Sequence, residues 1–261
     1  MEPDYEKSAR MKEMKQVDWR RIKRVKDSDL LETVEEVFDQ KTVMALYQII
    51  NKGIIDAMRG VVKAGKESRI YWAKGPAGED LAVKIFLTSS SEFIKSMPQY
   101  IQGDPRFRLG HDHRKIIYTW AQKEFRNLTE ARGAGVRVPK PIYVHENIIV
   151  MEFLGNGGVP SPILKEVPKE WLTLDLYSDL MGSVSALYRA CGLVHADLSE
   201  YNIMLHGWKP YIIDFGQAVP KEHPMAEEFL RRDIGNVVKF FRKSGLDVPG
   251  VEDVLKWLKR T

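Results

Sequence analysis

The order of apolar and polar positions predicts a chain that starts with helix. A helical spacing of apolar residues begins at Ser28 and ends near Gly53. The residues that form this stripe are Leu30, Leu31, Val34, Val37, Phe38, Val43, Leu46, Tyr47, Ile49 and Ile50. Residues 54–65, 67–75 and 81–87 then favour three β-strands, with a turn at the Gly- and Pro-containing residues 74–80.

The pattern changes again after the third strand. Residues 88–107 mix Ser, Gly, Pro and apolar side chains, so we expect a mobile loop with little regular structure. A helix is predicted over 111–132, and a β-hairpin over 141–154 that turns at Glu146 and Asn147. The Gly-rich residues 155–162 predict a hinge. Helices at 171–192, 225–243 and 249–259, with a short strand at 211–215, complete the prediction.

Strands that come first and helices that come last predict an α+β fold in two lobes. We expect an arm with helices that pack on the rest of the chain at residues 1–50, a lobe of antiparallel strands with one inserted helix at 51–154, and a mainly helical lobe at 155–261.

Composition adds limits to this picture. The chain has 261 residues, of which 44% are hydrophobic and 29% charged, with a net charge of +4. It has one cysteine, Cys191, which excludes an internal disulfide and favours a reducing compartment. No apolar run approaches the ~20 residues that span a bilayer, and the N-terminal residues lack the apolar core of a secretory signal. We therefore expect a cytoplasmic protein with no membrane contact.

The N-terminal region is strongly basic. Residues 7–26 contain nine Lys or Arg and two acidic residues. Such a block is usually a solvated arm, and the alternative is an arm that contacts RNA phosphates.

Three oxygen-bearing side chains follow apolar segments late in the chain. Asp197 and Asn202 lie five residues apart, and Asp214 follows the apolar pair Ile212-Ile213. Two carboxylates and an amide oxygen are hard ligands, and they suit Mg²⁺ held against substrate phosphates. Upstream, Lys84 interrupts an apolar strand and needs a carboxylate partner, for which Glu124 on the predicted long helix is the best candidate.

Residues 60–66, GVVKAGK, nearly match the phosphate-binding loop G-x-x-x-x-G-K-[ST]. The next residue is Glu67, which lacks the hydroxyl, and the segment that follows favours a strand instead of the required helix. We therefore expect no P-loop here.

The ordered set A-V-K, a helix Glu, H-x-D-x-x-x-x-N and D-F-G resembles protein kinases. More narrowly, LVHADLSEYN (193–202) and IDFGQ (213–217) resemble the RIO family of atypical serine/threonine kinases, its first subfamily best. Residues 65–68 and the stretch WAQKEFRNL (120–128) resemble that family too. The likeness covers about residues 45 to 240. It implies a two-lobed protein-kinase-like fold, and the compact chain favours an archaeal source.

The resemblance also implies roles for single residues. Asp197 would be the catalytic base, and Asn202 and Asp214 would hold Mg²⁺ or Mn²⁺. Lys84, kept in place by Glu124, would contact the phosphates of ATP. Further ATP-binding candidates are Lys66, Ser68, Met151, Glu152 and Leu154, the last two through their backbone.

Only 45 residues follow Gly216, and no A-P-E motif is among them. We therefore expect a helical lobe truncated after the metal-binding loop, with a reduced peptide-docking surface. The resemblance implies a kinase that also phosphorylates itself, for example at Thr88 or Ser89–Ser91, and that acts in small-ribosomal-subunit maturation as a monomer. Two alternatives stay open: an ATPase switch released from pre-ribosomal particles, and a catalytically silent RNA-binding assembly factor.

Overall fold

The computed structural model describes residues 38–110 and 112–260. The basic arm, the first part of the predicted N-terminal helix, His111 and Thr261 lie outside the described residues. The described helices, in chain order, are α1 Gln40–Asn51, α2 Ser91–Ser96, α3 Pro98–Ile101, α4 His113–Gly133, α5 Leu174–Arg189, α6 Ala226–Lys243 and α7 Val251–Lys259. The described strands are β1 Ala57–Ala64, β2 Ser68–Lys74, β3 Asp80–Phe86, β4 Pro141–His145, β5 Ile148–Glu152, β6 Gly155–Asn156, β7 Val159–Pro160, β8 Leu193–Val194, β9 Ile203–His206, β10 Lys209–Ile212 and β11 Val219–Pro220.

The first lobe is built on a five-stranded antiparallel sheet in the order β1-β2-β3-β5-β4. The hairpin of β1 and β2 confirms that residues 60–66 do not open a helix, so the P-loop reading is excluded. The predicted turn at Glu146 and Asn147 is confirmed as the turn between β4 and β5, and Glu146 has a positive φ of 50°.

Helix α1 covers one face of this sheet. It starts where the Asp39 side chain accepts hydrogen bonds from the N–H groups of Lys41 and Thr42, which caps the helix. Its apolar stripe packs on every second residue of β3 and β5. The residues in this layer include Ala45, Leu46, Ile49, Val83, Ile85 and Val150.

The other face of the sheet turns toward α4 and the helical lobe, and its buried residues include Ala82, Phe86, Ile149 and Met151. Strand β3 is therefore covered on both faces, and this explains its almost continuous apolar sequence. Lys84, in the middle of that strand, has only 5% of its surface exposed. A buried lysine in such a strand needs a partner for its charge.

The expectation of a loop with little regular structure at residues 88–107 is wrong. The segment forms α2 and α3, and its apolar side chains are buried. Phe93 and Tyr100 both pack on Trp120 of α4, with ring centroids 5.6 and 6.0 Å apart, and Tyr100 also lies 5.4 Å from Phe229 of α6. These partners are distant in sequence, so the local pattern of residues could not reveal the order that they impose.

The helical lobe follows a short connection. The predicted hinge at 155–162 contains a small hairpin, in which β6 and β7 have two residues each. The helix predicted at 171–192 is shorter, because Lys169–Trp171 form a 3₁₀ turn and the Thr173 side chain caps α5 by accepting from the Leu176 N–H. Two helices, α6 and α7, follow β11 in the described part of the chain. Across residues 38–110 and 112–260, no helix combines the length and the apolar character needed to cross a bilayer.

Candidate active site

Three charged side chains meet between the two lobes. Lys84 Nζ lies 2.8 Å from both carboxylate oxygens of Glu124 on α4, and 2.9 Å from Oδ1 of Asp214. Glu124 is only 1% exposed, whereas about half of the Asp214 side chain remains accessible from the cleft. The predicted Lys84–Glu124 pair is thus present in the structure, and Asp214 joins it.

The charges of Lys84 and Asp214 stabilise each other. Burial alone would lower the pKa of Lys84, but the carboxylates of Asp214 and Glu124 raise that pKa above its ordinary value. Burial would raise the pKa of Asp214, and Lys84 holds it below the ordinary value instead. Both groups are therefore charged at neutral pH, and the roles predicted for them, phosphate binding by Lys84 and metal binding by Asp214, require these charges.

A β-hairpin brings Asn202 and Asp214 together. Strands β9 and β10 pair from Lys209 with His206 to Ile212 with Ile203, and the Ile213 N–H extends the pairing by donating to the Asn202 carbonyl at 3.0 Å. Asn202 and Asp214 therefore lie side by side where the hairpin opens. The hairpin contains the residues that separate Asn202 from Asp214 in the sequence, so its length sets the spacing between the two.

Asn202 is also bonded to the predicted catalytic base. Its Nδ2 donates to the backbone carbonyl and to Oδ2 of Asp197, both at 2.9 Å. These bonds use the amide nitrogen and leave the amide oxygen as the atom that can serve as a ligand. Burial, and next the negative charge of Asp214, raise the pKa of Asp197. Asp197 and Asp214 are thus close enough for the charge of Asp214 to affect the protonation of Asp197.

The loop that carries Asp197 is braced from two sides. Ala196 has a φ of +63°, which is unusual for a residue with a side chain and persists only where the surroundings fix it. Asp233 of α6 supplies that restraint, because its two carboxylate oxygens accept from the N–H groups of Ala196 and Leu198 at 2.8 and 2.9 Å. His195 lies 3.0 Å through Nε2 from the Ile213 carbonyl, which joins the Asp197 loop to the Asp214 loop.

The side chains gathered here fit a divalent cation of the magnesium type. Asp214 offers a carboxylate to the cleft, Asn202 an amide oxygen, and the carboxylate of Asp197 lies beside them. Hard oxygen donors of this kind, few in number, suit Mg²⁺, which takes its remaining ligands from water and phosphates.

Three residues predicted to bind the nucleotide, Met151, Glu152 and Leu154, lie on β5 or just after it, and β5 pairs with the strand that contains Lys84. Met151 is buried at the end of β5, paired with Ala82 of β3. Glu152 donates its N–H to the Lys140 carbonyl at 2.8 Å, and the Leu154 carbonyl accepts from the Ser161 N–H at 2.9 Å, which fixes the connection between the lobes.

Two further residues predicted to bind the nucleotide lie where β1 turns into β2. Lys66 lies in this turn and is exposed, and Ser68 starts β2 opposite Phe86. Partial burial, and next the carboxylates of Asp214 and Asp197, raise the pKa of Glu67, so this turn lies near the predicted catalytic groups.

Sequence reasoning missed three buried polar residues at this site: Asp233 on α6, and Lys123 and Asn127 on α4. A signal was present for Asp233, which stands in the apolar stripe of an amphipathic helix beside Leu230, Ile234 and Val237. Lys123 and Asn127 belong to the stretch 120–128, in which the sequence indicates a role only for Glu124.

Comparison with known proteins gives consistent matches. The family model of the RIO domain matches residues 69–254. The chain is 45% identical over 228 residues to the RIO-type serine/threonine-protein kinase Rio1 of Haloferax volcanii, a match that covers 87% of this chain and 78% of that protein. It is 39% identical over 239 residues to the human serine/threonine-protein kinase RIO1, covering 90% of this chain and 42% of the human protein. The chain thus spans less than half the length of the human relative.

The fold is similar to that of a Rio2 kinase from Chaetomium thermophilum. A structure of that kinase in complex with ADP/Mg²⁺-phosphoaspartate has a TM-score of 0.61 and 24% identity, and the match covers 82% of this chain and 65% of that one. A second structure of the same kinase has a TM-score of 0.60. The likeness supports the two-lobed kinase fold.

Proposed function

This chain belongs to the RIO family of serine/threonine kinases, and on that premise we propose that it transfers the γ-phosphoryl group of Mg·ATP to a serine or threonine hydroxyl, including its own. The observation that carries the proposal is the convergence of Lys84, Asp197, Asn202 and Asp214 on one cleft, with Glu124 behind the lysine. A binding protein without catalysis has no need for all of these chemical roles at once.

Phosphoryl transfer depends mostly on positioning and on neutralising negative charge. The Lys84 ammonium, anchored by both oxygens of Glu124, would contact the ATP phosphates. Asn202 and Asp214 would hold Mg²⁺, or Mn²⁺, which supplies electrostatic stabilisation to the phosphates when it is bound. Because Lys84 and Asp214 are already 2.9 Å apart, both would approach the same phosphate group.

Asp197 would orient the acceptor hydroxyl and accept its proton. The Asn202 amide fixes the position of the Asp197 carboxylate, and burial together with Asp214 makes the carboxylate a stronger base by raising its pKa. The Asp233 and His195 contacts would hold the loop in the required conformation.

The base of ATP would lie at the connection between the lobes. Met151 would line the back of the pocket, and the Glu152 and Leu154 backbones would pair with adenine. Lys66, in the turn between β1 and β2, and Ser68, at the start of β2, would also contact the phosphates. The support for this arrangement is that β2 and β5 pair with β3 on the two sides of Lys84, at Ile70 and at Ile149.

An ATPase cycle is the second candidate. The Rio2 kinase structure named above contains phosphoaspartate, which supports a reaction in which a carboxylate of the enzyme receives the phosphoryl group and water then removes it. The same site would serve both reactions, and only the acceptor differs. In either form we propose that the protein acts as a cytoplasmic monomer in small-ribosomal-subunit maturation, with the pre-ribosomal particle and its RNA as partners.

One assay separates these functions. The protein is incubated with γ-labelled ATP and Mg²⁺, and label on protein is separated from free phosphate for the wild type, for Asp197→Ala and for Asp247→Ala. Asp247 is an exposed carboxylate outside the cleft, so its variant is the control. Stable label on serine or threonine that only Asp197→Ala loses supports the kinase, and free phosphate without stable label supports the ATPase. No turnover in the wild type, even with ribosomal particles added, would contradict both.

A further inference from the structure

One face of helix α4 is directed at the loop that follows Asp214. Trp120, Lys123, Glu124 and Asn127 are spaced by three, four and seven residues from the first, so they share one side of the helix. Glu124 holds Lys84. The other three side chains contact the backbone of residues 215–218.

Two of these side chains bind the loop through its carbonyl groups. Lys123 Nζ donates to the Gly216 carbonyl at 3.1 Å and also to the Ala218 carbonyl. Asn127 Nδ2 donates to the Phe215 and Ala218 carbonyls, both at 3.0 Å. Three of the four carbonyl groups in residues 215–218 are thus bound from one helix.

This arrangement is costly to build, because Lys123 and Asn127 are both fully buried. Burial lowers the pKa of Lys123 to about 7, which shows how poorly this environment suits the ammonium group. Apolar side chains would fill the same space at lower cost. The polar groups therefore serve the loop carbonyls that they contact, and space filling does not explain them.

Arg106 fixes the orientation of Asn127. Its Nη2 donates to Asn127 Oδ1 at 2.8 Å, so the amide nitrogen must face the loop. Arg106 is itself held by Asp104 at 2.8 Å and by Glu130. The segment that contains α2 and α3 is thereby connected to the Asp214 loop through one amide.

The loop that these residues hold has an unusual conformation. Asp214 has a φ of +65°, in the left-handed region that few non-glycine residues adopt. A Cβ on Gly216 would lie 2.7 Å from Trp120 Nε1, so α4 approaches the backbone directly. Such a conformation persists only where neighbouring groups restrain it.

We propose that Lys123 and Asn127 are positioning residues that hold the Asp214 carboxylate in its metal-binding orientation by fixing the carbonyl groups of residues 215–218. The inference rests on the proposed function, since it concerns the metal of that same site. Helix α4 then orients both partners of the phosphates, with Lys84 held through Glu124 and Asp214 held through Lys123 and Asn127.

The test compares Lys123→Met and Asn127→Asp with Gln122→Ala, a control at an exposed position on the same helix. Calorimetry measures the binding of ADP in excess EDTA, and then the Mg²⁺ concentration that gives half-maximal enhancement of ADP binding. Mutation of a residue that orients a metal ligand typically lowers metal affinity by about 10–100-fold. We expect the half-maximal Mg²⁺ concentration to rise at least about tenfold in both variants, with ADP affinity in EDTA unchanged and the control equal to the wild type.

The possible failures can be told apart. No enhancement of ADP binding by Mg²⁺ in the wild type would contradict the proposed function itself. Two other results would overturn the positioning role and leave the proposed function intact. In the first, both variants respond to Mg²⁺ as the wild type does. In the second, the variants lose ADP affinity equally with and without Mg²⁺. If Lys123→Met does not fold, the same criteria are applied to two single variants, Asn127→Asp and Arg106→Gln. The second removes the group that orients the Asn127 amide.

Discussion

Lys84 Nζ lies 2.9 Å from Asp214 Oδ1, although 130 residues separate them in the chain. This contact joins β3 of the sheet lobe to the loop after β10 in the helical lobe. It lowers the pKa of Asp214, so this carboxylate is ionised well below neutral pH. The pair therefore presents a positive and a negative group to the same point of the cleft, where the proposed function requires a phosphate and a metal ion.

Replacing Asp214 with alanine tests the metal assignment. Metal ions contribute several kcal/mol to phosphoryl transfer, so we expect Asp214→Ala to lower ATP turnover by at least about a hundredfold. The measurement is phosphate or label transfer at saturating Mg²⁺, beside Asp247→Ala as the exposed control. Turnover equal to that of the wild type would show that Asp214 is not a metal ligand.

Glu124→Gln tests the anchor of Lys84. Glutamine keeps the size of the side chain but removes the charge that both 2.8 Å contacts use, so Lys84 loses the anchor that holds its ammonium group in place for the phosphates. We expect a loss of turnover of about tenfold or more, the equivalent of one strong charge-assisted hydrogen bond.

The readout for this variant is the dependence of the rate on ATP concentration. Glu228→Gln, an exposed change on α6, is the control for the removal of one acidic charge. An unaltered rate at every ATP concentration would mean that Asp214 alone can position Lys84.

Asp233→Asn tests the brace behind Asp197. The carboxylate accepts from two backbone N–H groups, whereas an amide has one oxygen and would direct its NH₂ at the second N–H. Leaving that buried donor unsatisfied should reduce the free energy of unfolding by about 1–3 kcal/mol. Urea denaturation measures this loss.

The same variant should also lower turnover while ADP affinity stays close to the wild-type value, because Asp233 contacts the Asp197 loop and none of the proposed nucleotide-binding residues. A parallel loss of ADP affinity would instead indicate that the whole cleft has been disturbed.

His195 makes stability depend on pH. Burial lowers its pKa to about 4 in the folded protein, whereas an exposed histidine titrates near 6.5. Between these values the unfolded chain binds a proton that the folded chain does not. The contribution is therefore complete above about pH 6.5 and is lost as the pH falls toward 4, with a slope of up to about 1.4 kcal/mol per pH unit.

Urea denaturation at several pH values between 7.5 and 4.5 measures this effect. His195→Gln removes the titrating group and keeps a donor for the Ile213 carbonyl, so the variant should lose less stability on acidification than the wild type. Parallel curves for the two proteins would contradict the assignment.

Several parts of the fold could be predicted from the sequence because they depend on neighbours in the chain. Apolar spacing and turn residues predict two hairpins, β1–β2 and β4–β5, and three helices, α4, α6 and α7. The observed ends of these elements differ from the predicted ones by a few residues. The segment 88–107 could not be predicted in this way. Its helices are stabilised by contacts of Phe93 and Tyr100 with Trp120 and Phe229, which no local pattern contains.

The residues available for chemistry can be read from the amino-acid order alone: Lys84, Glu124, Asp197, Asn202 and Asp214 stand in an order and spacing that resemble one family. The contacts that hold these residues in place arise only when the chain folds. Three sets of hydrogen bonds join residues far apart in the chain. Glu124 binds Lys84 at 2.8 Å, Asp233 binds the Asp197 loop, and Lys123 and Asn127 bind the loop after Asp214. Such contacts depend on how buried polar groups satisfy one another once the core has formed, and local sequence patterns do not record that pairing.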